Sequence, residues 1–298
     1  MTLVYIILFL FGLIIGSFLN VVIFRYQPDK NLFDLKNLSG RSRCPKCRRD
    51  LRWYELIPLF SFVRQKAKCL RCQERISWQY PLVELGTGLV TVMVPYVLGK
   101  IFFIKQVFLT GAPIAWLIFI SVVWIFIFYI FILISVIDIR FKIIPNETNL
   151  ILLILGFTVV GWQYLYNQFG LASGTFLGGY ASMFGFRNNL WFNHLGAMIL
   201  AGGLFYLVVV LSRGKGMGMG DVKLAGVLGL IFGWPDMIMI IILAFIVGAG
   251  VGIVKIVREK GATKKTIPFG PFLTLASLLV FSMGGVILRS YFSWFGLV

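Results

Sequence analysis

Acidic side chains are few in this chain of 298 residues: 11 Asp and Glu stand against 28 Lys and Arg, for a formal net charge of +17. Histidine is rarer still, with His194 alone. One histidine at the start of an apolar run leaves little room for a serine or cysteine nucleophile activated by imidazole, and it is read as structural. No phosphate loop ending in Gly-Lys-Ser/Thr is present, so the glycine string at 216–220 is not read as a nucleotide site. There is no internal repeat and no low-complexity tract. The four cysteines all fall between positions 44 and 72.

What is abundant is apolar. Hydrophobic residues make up 59% of the chain and charged ones only 13%, and several apolar runs reach the roughly 20 residues that a helix needs to cross hydrocarbon. The fold class expected is an all-α polytopic membrane protein with about eight transmembrane helices. Spans are placed at 2–24, 82–99, 115–137, 149–166, 195–212, 222–234, 237–256 and 270–288, the sixth being short. On that topology 24 of the 28 Lys and Arg lie on one side, 14 of them between Arg25 and Arg75. The positive-inside rule then puts both chain ends outside and the first large loop in the cytosol. The same one-sided distribution explains the net charge without nucleic acid, and the lipid bilayer is the partner it implies. The first span has no basic region before it and no small-residue cleavage site, so it is expected to be a retained anchor.

Three regions follow: a first helix at 1–24, a polar and basic insert at 25–80, and a helical body at 81–298. An outer segment at 167–193 carries Tyr180, Trp191 and Phe192, expected as interfacial anchors. The insert is too small to fold on its own apolar core and needs a staple. Cys44 and Cys47, then Cys69 and Cys72, form two knuckles of two-residue spacing, the pattern of a closed tetrathiolate zinc site with no position open to substrate. Two disulfides are the rival reading and would require an oxidising compartment, against the charge pattern. Trp53, Tyr54, Trp78 and Tyr80 are read as the core and docking surface of the insert.

Two of the scarce acids stand at the ends of apolar runs, on the same side of the membrane. Asp138 closes the third span just before Pro145, which ends the helix, and Asp221 follows Gly216-Met217-Gly218-Met219-Gly220 at the start of the short sixth span. A carboxylate at a helix start faces the positive end of the helix dipole. Two carboxylates within reach of one water share a proton and titrate as a unit, which is the machinery of an aspartic protease. Taken singly, Asp221 is also a capping residue, and Asp138 a partner for Arg140, Lys142 or Lys223.

The residues Gly16-Ser17-Phe18-Leu19-Asn20-Val21-Val22-Ile23-Phe24-Arg25, the paired cysteine knuckles, Tyr80-Pro81-Leu82-Val83-Glu84-Leu85, Asp138 before Ile144-Pro145-Asn146, Gly218-Met219-Gly220-Asp221-Val222-Lys223-Leu224 and Pro268-Phe269-Gly270-Pro271 resemble, in this order, the type IV prepilin peptidases. The resemblance spans nearly the whole chain. It implies a membrane aspartyl protease of the bacterial inner membrane. Such enzymes remove the short basic leader of prepilins and pseudopilins on the cytosolic side, and many also N-methylate the new amino terminus with S-adenosylmethionine. Carried onto this chain, it assigns catalysis to Asp138 and Asp221, the active-site loop to Gly218, Gly220 and Lys223, and the zinc ligands to Cys44, Cys47, Cys69 and Cys72. Relatives often have further acids where Arg140 and Asn146 stand here.

Gly16, Ser17 and Asn20 form a small, polar stripe on the first span and, with Glu84, are candidate substrate contacts. Helix packing is the alternative for the stripe, and pairing with Arg25 the alternative for Glu84. Two other classes remain open at this point: an ion-coupled transporter using paired aspartates, and a non-catalytic membrane-tethered zinc ribbon.

Overall fold

The computed structural model describes residues 2–28, 31–32, 40–103, 114–167, 175–177, 180, 189–258 and 267–296. Among these the body is entirely helical: α1 (Thr2–Arg25), α3 (Gln79–Phe103), α4 (Ile114–Phe141), α5 (Asn146–Asn167), α6 (Leu190–Leu211), α7 (Met219–Phe232), α8 (Asp236–Arg258) and α9 (Gly270–Trp294). A single 3-10 turn (Trp53–Glu55) and the short helix α2 (Phe60–Arg64) belong to the insert between α1 and α3. Its only extended pairing among the described residues is two isolated bridges, Arg43 with Asp50 and Lys68 with Arg75. The insert lies between the end of α1 at Arg25 and the start of α3 at Gln79.

Seven of the eight body helices are long and apolar enough to cross a bilayer. The exception is α7, the sixth expected span. At 14 residues it measures about 21 Å, against a hydrocarbon thickness of about 30 Å. It does not need a lipid-facing surface, because Leu224 to Phe232 are all buried. Helices α5, α6, α8 and α9 pack around it. The closest contact is with α6, and glycine makes it possible: a Cβ at Gly229 would lie 2.5 Å from the Ala197 carbonyl oxygen, and one at Gly226 would meet the backbone of Gly202 at 3.9 Å.

The α1–α3 pair uses the same device. A Cβ at Gly16 would come 2.7 Å from the Cα of Glu84, and one at Gly12 would come 2.8 Å from the Cα of Gly88. Gly16 thus lies in a helix contact of the small-residue kind. The remaining body is tied through α4. Tyr129 and Thr91 share a hydrogen bond of 2.6 Å between α4 and α3, and Ser135 and Thr274 share one of 2.7 Å between α4 and α9. Trp124 lies at the centre of an aromatic cluster, its ring 4.8 Å from Phe281 and 5.3 Å from both Phe232 and Phe176. These contacts bury α4, α7 and α9 against one another.

The outer segment at 167–193 lies largely outside the described residues. Of its described part, Tyr180 stacks on Phe292 at 5.4 Å, and Thr175 and Phe176 are held by Asp236 at the start of α8, whose carboxylate accepts from the Thr175 hydroxyl at 3.0 Å and the Phe176 N–H at 3.1 Å. His194 is buried, its Nδ1 2.7 Å from the Leu230 carbonyl, so the lone histidine joins α6 to the end of α7.

Close packing at α6–α7 predicts a contrast between two glycines. Gly229→Ala forces the helices apart and should destabilise the protein in detergent by about 1–3 kcal/mol. Gly203→Ala meets nothing within 4 Å and should be neutral or stabilising by up to about 1 kcal/mol, because helical alanine is favoured over glycine. Thermal unfolding of the two purified variants checks both.

Candidate active site

Asp138 occupies the last turn of α4, where the helix stops because Pro145 follows and residues 143–145 are no longer helical. Its side chain is 4% exposed. The carboxylate accepts a hydrogen bond from the Gly270 N–H at 3.1 Å, the first residue of α9. Asp221 stands three residues after the N-cap, Gly218, whose extended backbone (φ −85°, ψ 155°) precedes α7. Its carboxylate reaches back to the Gly218 N–H at 3.3 Å. Each aspartate is thus held by a free backbone N–H at a helix start, where the dipole favours an anion. For Asp221 the capping reading holds in part, at the third helical position rather than at the cap. For Asp138, no ion pair with Arg140, Lys142 or Lys223 is found among the described residues.

Ile144 packs against the starts of both α7 and α9, at Gly220 and Gly270. A Cβ at Gly220 would lie 3.2 Å from its side chain, and one at Gly270 would lie 3.4 Å from it and 2.7 Å from the Asp138 carboxylate. Asp221 follows directly on Gly220. Lys223, one helical step beyond, points elsewhere and donates to the Asn146 side chain at 2.8 Å, linking α7 to the first residue of α5. Asp138 is buried, Asp221 half-buried, and Gly218 and Lys223 exposed, so the pair opens on the face that carries the insert. A carboxylate pair so placed can take a proton from water with one member and give one to a carbonyl with the other.

In the insert the four cysteine sulfurs lie within 4.8 Å of one another. The Cys44 and Cys72 sulfurs are 3.8 Å apart, close to the ~3.8 Å edge of a tetrahedron whose metal–sulfur distance is about 2.3 Å. The two knuckles repeat one backbone pattern: the N–H of each first cysteine bonds to the carbonyl five residues on, at 3.0 Å for Cys44 and 2.9 Å for Cys69. Backbone N–H groups of Cys72 and Arg71 aim at the Cys69 sulfur and pull its thiol down to about 6, which favours the thiolate that a metal requires. Lys46 and Glu74 join the knuckles by an ion pair of 2.9 Å. Arg49 pairs with the buried Glu55 beneath them. The donor set and its spacing fit a closed structural metal.

A cleft of about 1100 Å³ lies between the insert and the α1–α3 pair. Ser17, Asn20 and Glu84 line it, and Gly16 does not. Glu84 is buried and accepts from the Leu59 N–H at 2.9 Å, so it pins the insert to the membrane body rather than pairing with Arg25. Arg25 donates instead to the carbonyls of Gly40 and Arg41. Asn20 donates to the Tyr80 carbonyl at 3.1 Å, while its own side-chain oxygen is buried without a partner. Neither Asp138 nor Asp221 borders the cleft.

Three features lay beyond the sequence reading. The N–H of Gly270 needed the approach of α9 to α4, the packing of Ile144 needed two glycines from different helices, and Asp236 was passed over although its position at the head of an apolar run was a visible signal.

Residues 10–98 match the family model described as the bacterial peptidase A24 N-terminal domain, and residues 124–253 match that of the type IV leader peptidase family. A prepilin leader peptidase/N-methyltransferase of Stutzerimonas stutzeri is 31% identical, over 94% of this chain and 91% of that protein. Proteins of the same name from Aeromonas hydrophila and Bacillus subtilis are 31% and 30% identical, each over 96% of this chain and over 93% and 96% of their own length. No solved structure matches the chain.

Two substitutions test the geometry. Gly270→Ala drives a methyl group into the Asp138 carboxylate and should lower peptidase turnover about 100-fold, measured on protein whose thermal unfolding is near that of the unaltered chain. Cys44→Ser or Cys69→Ser should remove the bound metal, assayed by metal analysis of the purified protein, and expose the insert to limited proteolysis.

Proposed function

Because this chain belongs to the type IV leader peptidase family, we propose that it is a multi-pass membrane aspartyl endopeptidase that removes the basic leader from prepilins and pseudopilins and N-methylates the amino terminus so exposed. The observation that supports this reading is that Asp138 and Asp221 each accept from a backbone N–H at a helix start, with Ile144 packed against both of those starts at Gly220 and Gly270. The ionised member accepts a proton from the attacking water. The protonated member donates to the scissile carbonyl, and the roles reverse as the amine leaves. No covalent enzyme intermediate forms.

Placement of the pair at the insert-bearing boundary fits the substrate, whose basic leader precedes an apolar helix. The helix docks laterally in the bilayer while the cleavage point stands level with the aspartates. Gly220 allows the start of α7 to run close to Ile144, and Lys223 fixes α7 against α5 through Asn146. The one-sided distribution of 24 of 28 basic residues supports a cytosolic location for this boundary, with both ends of the chain outside, in a bacterial inner membrane. Zinc is the metal that four thiolates at this spacing favour, and its part is to fold the insert. When bound, S-adenosylmethionine supplies an electrophilic methyl group. Ser17, Asn20 and Glu84 provide the polar contacts for substrates in the cleft, with Gly16 setting the approach of α1 to α3 that shapes its wall.

An ion-coupled transporter is disfavoured by the position of the pair at a helix boundary rather than at midplane. A non-catalytic zinc ribbon leaves two matched carboxylates without a purpose.

The test is incubation of the purified protein with a prepilin, followed by mass measurement of the product's amino terminus. Asp138→Asn and Asp221→Asn should each reduce leader removal by about 10³-fold or more, as loss of one member of a cooperating pair does. Full cleavage by either variant would refute the aspartyl mechanism.

A further inference from the structure

The insert is polar and basic, yet it leaves large apolar side chains open: Val63 is 75% exposed, Trp78 68% and Phe60 56%. An apolar edge of this kind marks a surface that something covers. Phe60 and Val63 stand three residues apart and so share one side of α2. Ser61, Phe62 and Gln65, on its other side, line the cleft, which none of Phe60, Val63 and Trp78 borders. The edge therefore faces away from the cleft.

Its level in the bilayer follows from α3. The Trp78 carbonyl accepts from the Leu82 N–H at 3.2 Å, so Trp78 belongs to the first turn, and it heads a row of exposed side chains at Leu82, Leu85, Leu89 and Tyr96. At 3.6 residues per turn these five positions fall close to one line along the helix. Glu84 and Gly88, on the opposite face, pack against Gly16 and Gly12 of α1. The row is the lipid-facing side of α3, and Trp78 is its uppermost member, where an indole favours the headgroup level.

Two contacts bring α2 to that level. The Phe62 ring lies 5.0 Å from the Trp78 ring, and the Leu59 N–H donates to the Glu84 carboxylate at 2.9 Å. Glu84 is six residues beyond Trp78, about 9 Å further along the helix. The chain therefore dips back beside the membrane-embedded turns of α3 instead of standing off into water, and Phe60 follows directly on Leu59. Leu59 makes the return with a φ of 58°, a left-handed conformation uncommon for such a residue.

Charge completes the pattern. From Leu56 to Gln73 the chain has four basic residues, Arg64, Lys66, Lys68 and Arg71, and no acid. All four are exposed, and none has an ion pair among the described residues. An apolar edge followed by unpaired cations is what a segment lying in the face of an anionic bilayer requires.

We propose that α2 is an interfacial anchor: Phe60, Val63 and Trp78 lie among the headgroups and upper acyl chains of the leaflet on the insert's side, and Arg64, Lys66, Lys68 and Arg71 meet its phosphates. The occupant of the apolar edge is the anionic lipid surface, continuous with the lipid that covers Leu82, Leu85 and Leu89. The bilayer thereby backs the wall whose other face, Ser61, Phe62 and Gln65, lines the cleft. The insert is held at its knuckles by the cysteine cluster, at α3 by Glu84, and from outside by lipid.

The experiment places a nitroxide label at Val63→Cys, or at Lys215→Cys in the exposed turn before α7, in full-length, metal-loaded protein in phosphatidylglycerol nanodiscs, with metal content as the check that the four native cysteines stay committed. At Val63 oxygen, which concentrates in hydrocarbon, should relax the label more than a water-soluble nickel chelate does, and at Lys215 the order should reverse. A Val63 label that the chelate reaches as readily as it reaches Lys215 overturns the proposal. So does one shielded from both reagents, which would mean that protein and not lipid covers the edge. In a second arm, trypsin should cut after Lys66 and Lys68 about fivefold or more slowly in phosphatidylglycerol than in phosphatidylcholine nanodiscs, and Val63→Asp should lose most of that protection with its metal content unchanged. Equal cutting of the unaltered protein in the two lipids would overturn the phosphate contacts.

Discussion

The site depends on how closely three chain segments approach at one membrane boundary. Ile144 fills the space between the starts of α7 and α9, and it can do so only because positions 220 and 270 lack a Cβ; at Gly270 the added carbon would fall 2.7 Å from the Asp138 carboxylate. With glycine at both places, the first N–H of α9 reaches Asp138 and the turn that follows Asp138 lies flat against α7. The same absence of side chains lets a buried carboxylate be stabilised by a helix end, worth about 0.3–2 kcal/mol depending on burial. Position and electrostatics therefore have one cause.

The rest of the body serves that approach. Helix α7 carries Asp221 in its first turn and is buried from Leu224 onward, so its rotation and depth are set by neighbours on every side rather than by lipid. Trp124 and its surrounding rings fix α4, α7 and α9 to each other on the side away from the insert, and the Ser135–Thr274 hydrogen bond ties α4 to α9 one turn from Asp138. On the insert side, Arg140 lies 4.5 Å over the Phe24 ring, which in turn stacks on Tyr80. That stack is the bridge between the aspartate-bearing helices and the α1–α3 pair whose insert-bearing end forms the cleft.

Much of this was legible in the sequence because membrane helices announce themselves by apolar length, and because cysteine spacing and isolated carboxylates are rare signals against 59% hydrophobic residues. A helical membrane body and an insert with a four-cysteine cluster were expected from those features, with eight spans where seven helices are long and apolar enough to cross. What was hidden was relational. A 14-residue apolar run reads the same whether it faces lipid or is wrapped by protein, and only the packing shows that α7 is wrapped. Gly16 and Ser17 are neighbours on one stripe, yet one meets Glu84's backbone and the other lines the cleft. Glu84 could equally have met a cation, and its actual partner, the Leu59 N–H, belongs to an insert whose docking no periodicity reveals. Asp236 escaped notice because nothing in its local sequence names Thr175 and Phe176, some sixty residues earlier, as its partners.

The scarcity of acids in so basic a chain also bears on chemistry. Asp50, Glu55 and Glu74 in the insert are each paired with a cation, whereas among the described residues Asp138 and Asp221 accept from backbone N–H groups. The difference matters for an acid/base pair. A guanidinium or ammonium within 4 Å of either aspartate would favour the charged form of both and oppose the shared proton on which general acid catalysis depends. A backbone N–H orients a carboxylate and stabilises it modestly without fixing its charge. Lys223 stands only two residues from Asp221 and is drawn away by Asn146, a neutral acceptor at a position where an acid would place a second negative charge beside the site. Neutrality at Asn146 thus protects the pair twice, by occupying Lys223 and by adding no charge of its own.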